Sequence, residues 1–442
     1  MKKDRMNFWQ ENRLIVKAMF IGILTLLLLI PAVFILSLVN DRESRHDMAY
    51  KEISSKWAGT QTLTGPILVI PYQSSSQDAR GNAVTEIRQG YFLPDSLQVN
   101  GVIKPEKRYR GIYEAILYRS DLQISGKFSS LNLSDLKIPV NKWLPEQSYL
   151  LLGVSDMRGI ENQLAVEWNG IKKGFNPGTP QNALIRQGVY VPVSLNEAAL
   201  NAGNFNFSLH LQLKGSGELD VAPLGKNTQV TLRSPWATPS FTGNFLPDYR
   251  KINKNGFDAH WTIFNLNRNL PQQWTEGNYD PGASKFGVSL MLPVDAYQKT
   301  MRCIKYAILI IALTFLVFFL IETSQNSPVH PFQYMLIGFA LCIFYTLLLS
   351  LSEYIHFALA YGISTIASTG LISIYASSLF KKKNMSFLVA IALLALYGFI
   401  FTLVQLQDYS LLFGSVGLFI IVAMLMYCTR KINQDRQAEI LT

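Results

Sequence analysis

Two pairs of residues in this chain combine types and spacing that can do chemistry. The first is Asp156 with Arg158, inside Gly153-Val154-Ser155-Asp156-Met157-Arg158-Gly159. Glycines bracket the stretch, so it reads as a tight loop holding a carboxylate and a guanidinium as an ion pair. A structural loop and an active-site pair both fit. No base or nucleophile is pinned nearby in sequence, which favours the loop. The second pair is Glu353 with His356. Three residues apart, they share a face if they are helical. A proton relay uses such a pair, but deeper in a membrane; at the end of an apolar run they suit structural or docking work. His210 falls on the polar face of a strand and reads as a solvated histidine. No His-x-x-x-His or paired Cys/His spacing argues for zinc. No Gly-x-Ser-x-Gly elbow and no phosphate-cradling glycine loop ahead of a helix occur. The sequence thus assigns no catalytic residue, no metal and no cofactor. Asp156, Arg158, Glu353 and His356 stand as the functional candidates.

The elements that must position these residues are set by hydropathy. Six uncharged, apolar runs occur: Ala18–Asn40, Tyr306–Ile321, Pro331–Ser352, Tyr354–Phe380, Asn384–Gln407 and Tyr409–Thr429. A helix needs about 20 apolar residues to cross a hydrocarbon layer. The second run is short, and Lys305 can snorkel to lengthen it. The sequence predicts an α+β membrane protein with one N-terminal anchor over residues 1–40. A β-rich domain follows over 41–300, then a five-span bundle over 301–429 and a tail over 430–442. Signal-peptide apolar cores are shorter than the first run, and no small-x-small site follows it, so an uncleaved anchor is expected. Pro31 is expected to kink it.

Basic residues beside short loops stay cytoplasmic. Lys2, Lys3, Arg5, Arg13 and Lys17 precede the first run, which puts the N-terminus inside and residues 41–300 outside. Lys381-Lys382-Lys383 and the tail residues Arg430, Lys431 and Arg436 then fall inside, given six spans. The formal charge of +10 is largely this topological excess. The 41–300 segment has a mixed surface without the basic stripe that nucleic acid requires, so membrane lipids are the expected partner for the excess. The three cysteines, Cys303, Cys342 and Cys428, lie in or beside the apolar runs, so the outer domain contains no disulfide.

Residues 41–300 read mainly as β. In Phe205–Lys214, Phe205, Phe207, Leu209, Leu211 and Leu213 alternate with polar residues, the pattern of a half-buried strand. Gly215-Ser216-Gly217 then reads as a hairpin turn into Glu218–Ala222. Ala49, Ile53 and Trp57 share a helical face, so the first span is expected to continue to about Ala58. Pro293-Val294-Asp295 marks a helix start running straight into the second span. Small residues at Gly362, Ser364, Ala367, Ser368 and Gly370 predict a close-packed face on the fourth span, and Gly414 and Gly417 the same on the sixth. Tyr91-Phe92-Leu93-Pro94-Asp95 recurs as Asn244-Phe245-Leu246-Pro247-Asp248, by chance or as a trace of a duplicated β unit that would give two similar lobes.

Several stretches together resemble the CreD inner-membrane proteins. They include Lys305–Phe315 with Phe318-Phe319 and Glu322, and His330–Gly338 with Phe344-Tyr345 and Ser352-Glu353. Leu63-Thr64-Gly65-Pro66, Ser155–Ile160, Gly215-Ser216-Gly217 and Pro239–Pro247 belong to the same pattern. Tyr354 departs from it, since such proteins often carry His there. The resemblance implies a cell-envelope integrity factor of Gram-negative bacteria. It also implies linkage to a carbon-source-responsive two-component system and to tolerance of colicins and β-lactams. It implies no reaction, cofactor or catalytic residue.

Three functions follow as expectations. The favoured one is a non-enzymatic envelope protein of the inner membrane whose periplasmic β domain binds an envelope protein or other periplasmic ligand. A transporter or conduit for a lipid or small molecule is the alternative. A membrane-bound enzyme acting on peptidoglycan or lipid is the third, with Asp156, Glu353 and His356 as its candidates.

Overall fold

The computed structural model describes residues 13–77, 83–129, 131, 133–180, 184–196, 203–275, 277, 279–290, 295–325, 328–380, 382–406 and 409–440. Two compact units make up the chain: Met1–Asp47 with Val294–Thr442, and Met48–Pro293.

The first unit is helical. Its helices are α1 (Arg13–Leu27), α2 (Leu29–Trp57, which runs on into the second unit), α3 (Asp295–Lys305), α4 (Ala307–Gln325), α5 (Pro331–Ser352), α6 (Phe357–Leu379), α7 (Lys383–Gln405) and α8 (Ser410–Ile440). The first apolar run is interrupted at Leu28, just ahead of Pro31, whose ring clashes with the carbonyl four residues back. Beyond that break α2 continues to Trp57, as the Ala49/Ile53/Trp57 spacing predicts. The helix expected to run straight into the second span instead breaks at Tyr306, between α3 and α4.

Among the described residues, five helical segments are long and apolar enough to span: Ile15–Trp57, Ala307–Gln325, Pro331–Ser352, Phe357–Leu379 and Asn384–Gln405. Four of them fall in the C-terminal part, where five spans were expected. On the remaining run the described apolar stretch of α8 is Ser410–Met424, and the side chains of Leu425 and of residues 428–429 lie outside the described residues.

The core of this unit is aromatic. Phe344 and Tyr397 lie 4.5 Å apart, Phe344 and Tyr361 5.4 Å, and the Tyr361 hydroxyl donates to the Tyr397 carbonyl at 2.7 Å. Gly338 lets α5 approach Leu28; a Cβ there would come within 2.1 Å of the leucine side chain. On α6, Ser364 and Ser368 are buried as expected, but Ala367 is exposed and Gly362 and Gly370 face open space. The buried stripe instead runs through Tyr361, Ser364, Thr365, Ser368, Thr369 and Ile372, at spacings of three and four. On α8, Gly417 abuts Phe399, whereas Gly414 has only a distant neighbour. Large apolar side chains such as Phe34, Ile366, Ile374 and Phe419 point outward, an arrangement that lipid rewards and water penalises.

The second unit is a two-sheet β structure. The nine-stranded sheet has the order Ser240–Gly243, Phe286–Ser289, Glu218–Val221, Gln61–Gln77, Tyr149–Val154, Gly188–Pro192, Asn176–Pro177, with Ala83–Phe92 pairing Gln61–Gln77 and Gln273–Trp274 pairing Ala83–Phe92. The eight-stranded sheet runs Tyr249–Asn253, Gly256–Phe264, Asn227–Ser234, Ser96–Arg110, Tyr113–Ser129, Asn204–Ser216, Ala165–Trp168, Ile171–Gly174. One continuous core joins them, with Tyr118, Trp261, Phe128, Phe205 and Phe286 among its fully buried rings. Tyr149–Val154 is buried at every position, so the nine-stranded sheet is covered on both faces there. Asn204–Ser216 instead alternates exposed and buried residues, so the eight-stranded sheet leaves one face to solvent.

The expected hairpin at Gly215-Ser216-Gly217 is corrected. Asn204–Ser216 and Glu218–Val221 lie in different sheets and do not pair. Both bury their apolar alternation in the same core, so the chain crosses over at Gly217, in the left-handed region at φ 68°. The repeated Phe-Leu-Pro-Asp motif also makes crossovers. Each copy leads from a strand of the nine-stranded sheet to one of the other sheet. Asp95 Oδ2 accepts the Ser129 N–H at 2.6 Å, and Asp248 Oδ2 accepts the Thr262 N–H at 2.7 Å. The two copies do equivalent work within one core, where separate lobes were expected of a duplication.

Candidate functional site

The loop after Tyr149–Val154 places the first pair. Met157–Gly159 is a single 3-10 turn capped by Asp156, whose Oδ1 accepts the Arg158 N–H at 3.1 Å. The Arg158 guanidinium returns to the same carboxylate at 2.9 and 2.6 Å. Asp156 Oδ2 also accepts the Gly59 N–H at 2.9 Å, and Arg158 Nη1 donates to the Ser55 carbonyl at 2.5 Å. Both bonds secure the C-terminal end of α2 and the residues just beyond it. Gln61 completes the knot: its amide donates to the carbonyls of Asp156 at 2.9 Å and Lys214 at 3.0 Å, and its oxygen accepts the Asp156 N–H at 3.1 Å. Gly159 is obligatory, because a Cβ would lie 2.2 Å from the Gln61 amide nitrogen.

The Arg158 side chain is the largest cause that holds the Asp156 carboxyl down to about 2, against 3.8 for a free one; the Gly59 and Arg158 N–H groups add to it. Every acceptor position of this carboxylate is spent on the fold. Beside it, Trp57 carries Arg119 at 4.7 Å, Lys214 at 5.0 Å and Arg108 at 5.8 Å over its ring, and Glu52 pairs with Arg110 and, at 2.9 Å, with Lys56. The pair is a latch joining the helix end to the sheets.

Glu353 and His356 do not share a helix face. They bracket the turn between α5 and α6. Glu353, 7% exposed in its side chain, accepts from the Tyr297 hydroxyl at 3.3 Å and lies 3.7 Å from Arg42. His356 is the N-cap of α6, its Nδ1 accepting the Ala358 N–H at 3.4 Å. The spacing of three reflects a cap following a turn, and the relay geometry does not arise. His356→Ala is expected to lower stability by about 0.5–1 kcal/mol, the worth of a long capping bond, while His356→Asn keeps most of it. Thermal unfolding of the detergent-solubilised protein measures both.

A third constellation was not recognised in the sequence. Glu322 accepts from Lys17, from the Val329 N–H at 3.0 Å and from the Tyr334 hydroxyl at 2.9 Å. Lys17 also donates to the Val329 carbonyl at 2.8 Å and stands 5.8 Å from the centre of the Tyr334 ring. One signal was available: Lys17 and Glu322 bound apolar runs at ends assigned to the same side of the membrane. Among the described residues no group of three or more His, Cys, Asp or Glu is placed to hold a metal ion.

Comparison with known proteins agrees with this architecture. The family model for inner membrane protein CreD matches residues 13–435. Inner membrane protein CreD of Escherichia coli (strain K12) is 36% identical over 416 residues, covering 92% of this chain and 91% of that protein. With its apolar helices and central β-rich region, this multi-pass inner membrane protein belongs to the CreD family.

Proposed function

We infer that the protein supports cell-envelope integrity and stress tolerance without catalysing a reaction, and that its β domain faces the periplasm and engages an envelope component there. The observation that carries this reading is how the polar residues are used. Asp156, Arg158, Glu353 and His356 are all committed to bonds that hold helices and sheets together. Meanwhile much of the outer face of the eight-stranded sheet is left to solvent. The conduit alternative is disfavoured by the sandwich interior, which is filled by side chains such as Trp261, Phe128 and Leu211.

The orientation follows from charge. Arg13 and Lys17 at the first span, and Lys382 with Lys383 where α7 begins, put the N-terminus and the loop between α6 and α7 in the cytoplasm. Alkaline-phosphatase fusions should be active at Gln229 and inactive at Lys382; the reverse pattern overturns the orientation. A deletion strain should lose tolerance to detergent, colicin and β-lactam, and regain it with the chain restored. Unchanged tolerance to all three would sink the envelope role.

A further inference from the structure

The solvent face of the eight-stranded sheet carries two adjacent rows of side chains whose composition points to a ligand. Strand register defines them. The first row, read across hydrogen-bonded neighbours, is Ser208, Ser125, Gln98, Gln229 and Thr262. The second, two residues along each strand, is His210, Gln123, Asn100, Thr231 and His260. None of these ten positions is Asp, Glu, Lys or Arg. Each bears an amide, a hydroxyl or an imidazole, groups that both donate and accept hydrogen bonds. Neighbouring strands lie about 4.8 Å apart, so the platform spans roughly 19 Å across five strands.

Charge frames this block and stays out of it. Asp121, Arg233, Asp258 and Lys251 fall in the row on one side, and Lys127 in the row on the other. Several of these charges are paired: Arg233 with Asp258 at 3.0 Å, His260 with Asp258 at 3.0 Å and His210 with Asp121 at 2.6 Å. Among the described residues, the side chains of Asn100, Gln123 and Ser208 make no hydrogen bond within the protein, and Gln98 reaches only Gln229, at 3.4 Å. At one end of the rows stand two exposed aromatic rings, Tyr249 at 56% and Phe264 at 52%. Tyr249 packs beside His260, with ring centres 5.6 Å apart.

Each class of occupant asks for a different surface. Nucleic acid and anionic headgroups need clustered cations. An added peptide strand needs an open sheet edge, and these rows cross the interior of the sheet. A protein partner needs a dehydrated apolar centre with aromatic or Arg anchors. A flat, neutral, amide- and hydroxyl-rich platform with aromatic rings at its rim suits a neutral polyhydroxylated chain. We propose that this face binds a neutral glycan laid across the strands, with Gln98, Asn100, Gln123 and Gln229 reading its hydroxyls and Tyr249 stacking on a sugar ring. The proposal rests on the reading that the domain faces the envelope.

The test uses the full chain in lipid nanodiscs and two soluble probes, chitohexaose and cellohexaose, followed by isothermal titration calorimetry. Saturable binding of either is expected, and which of them binds distinguishes an N-acetylated glycan from a plain glucan. Raising the salt to 0.5 M should leave the affinity unchanged, since no ion pair is broken; a steep loss with salt would overturn the proposal. The triple variant N100A/Q123A/Q229A should weaken binding at least about tenfold, because each lost hydrogen bond costs a few-fold. The near-isosteric N100D/Q123E/Q229E, which keeps the shape and adds charge, should abolish it. No binding of either probe, or undiminished binding by both triple variants, refutes the proposal. A deletion phenotype without glycan binding would refute it and leave the envelope role standing. Binding without a phenotype would do the reverse.

Discussion

Asp156→Ala is expected to destabilise the β domain by about 2–4 kcal/mol, read as a drop in the thermal unfolding midpoint of the purified protein. The cost comes from groups left behind. The Gly59 and Arg158 N–H groups lose their acceptor, and the end of α2 loses one of its two ties to this loop. The Arg158 guanidinium is mostly solvated, so its loss as a salt bridge adds little. Asp156→Asn keeps one acceptor oxygen and should cost about half as much. The pH dependence has a definite sign. The carboxyl is held at about 2 in the folded protein against 3.8 when free, so its contribution is complete above about pH 4 and is lost as pH falls toward 2. Asp156→Ala should therefore flatten the acid limb of the stability profile in that window. An unchanged midpoint, or an unchanged acid limb, would show that the latch is not what holds the helix end.

Much of this architecture could be read from local pattern, and the reasons are physical. Hydropathy located every spanning helix because lipid imposes length and polarity on each segment separately. Phe205–Lys214 was legible because a half-buried strand writes its two faces into its own alternation. Asp156 with Arg158 was legible because the pair closes within one turn. What was not legible depends on distant segments. Gly59 and Gln61 meet Asp156 across about 95 residues of sequence. At Gly217 a crossover and a hairpin use the same glycine, and only the identity of the partner strand separates them. The polar rows on the eight-stranded sheet are invisible in any one strand. They exist because five strands happen to be in register, and no single-strand pattern records that.

Lys17→Met should be the most damaging single change, at about 3–5 kcal/mol, because it strands the Glu322 carboxylate in a largely buried position. Tyr334 and the Val329 N–H remain as donors, but neither supplies the opposite charge. Glu322→Gln should be milder. The amide still accepts from Val329 or Tyr334, and Lys17, 21% exposed, keeps the Val329 carbonyl. The informative experiment is the double variant Lys17→Met/Glu322→Gln. If the cost of Lys17→Met is an uncompensated charge, removing that charge recovers a large part of it, and the double variant is more stable than Lys17→Met alone. If instead the lysine stem matters for packing, the two losses add. Unfolding of all three variants in one detergent, monitored by circular dichroism, separates the cases. The distinction bears on how the first helix is held. A charge pair closing α1 onto α4 and α5 gives that contact a register that apolar surfaces in lipid cannot provide, since hydrocarbon solvates either face of an apolar helix equally well.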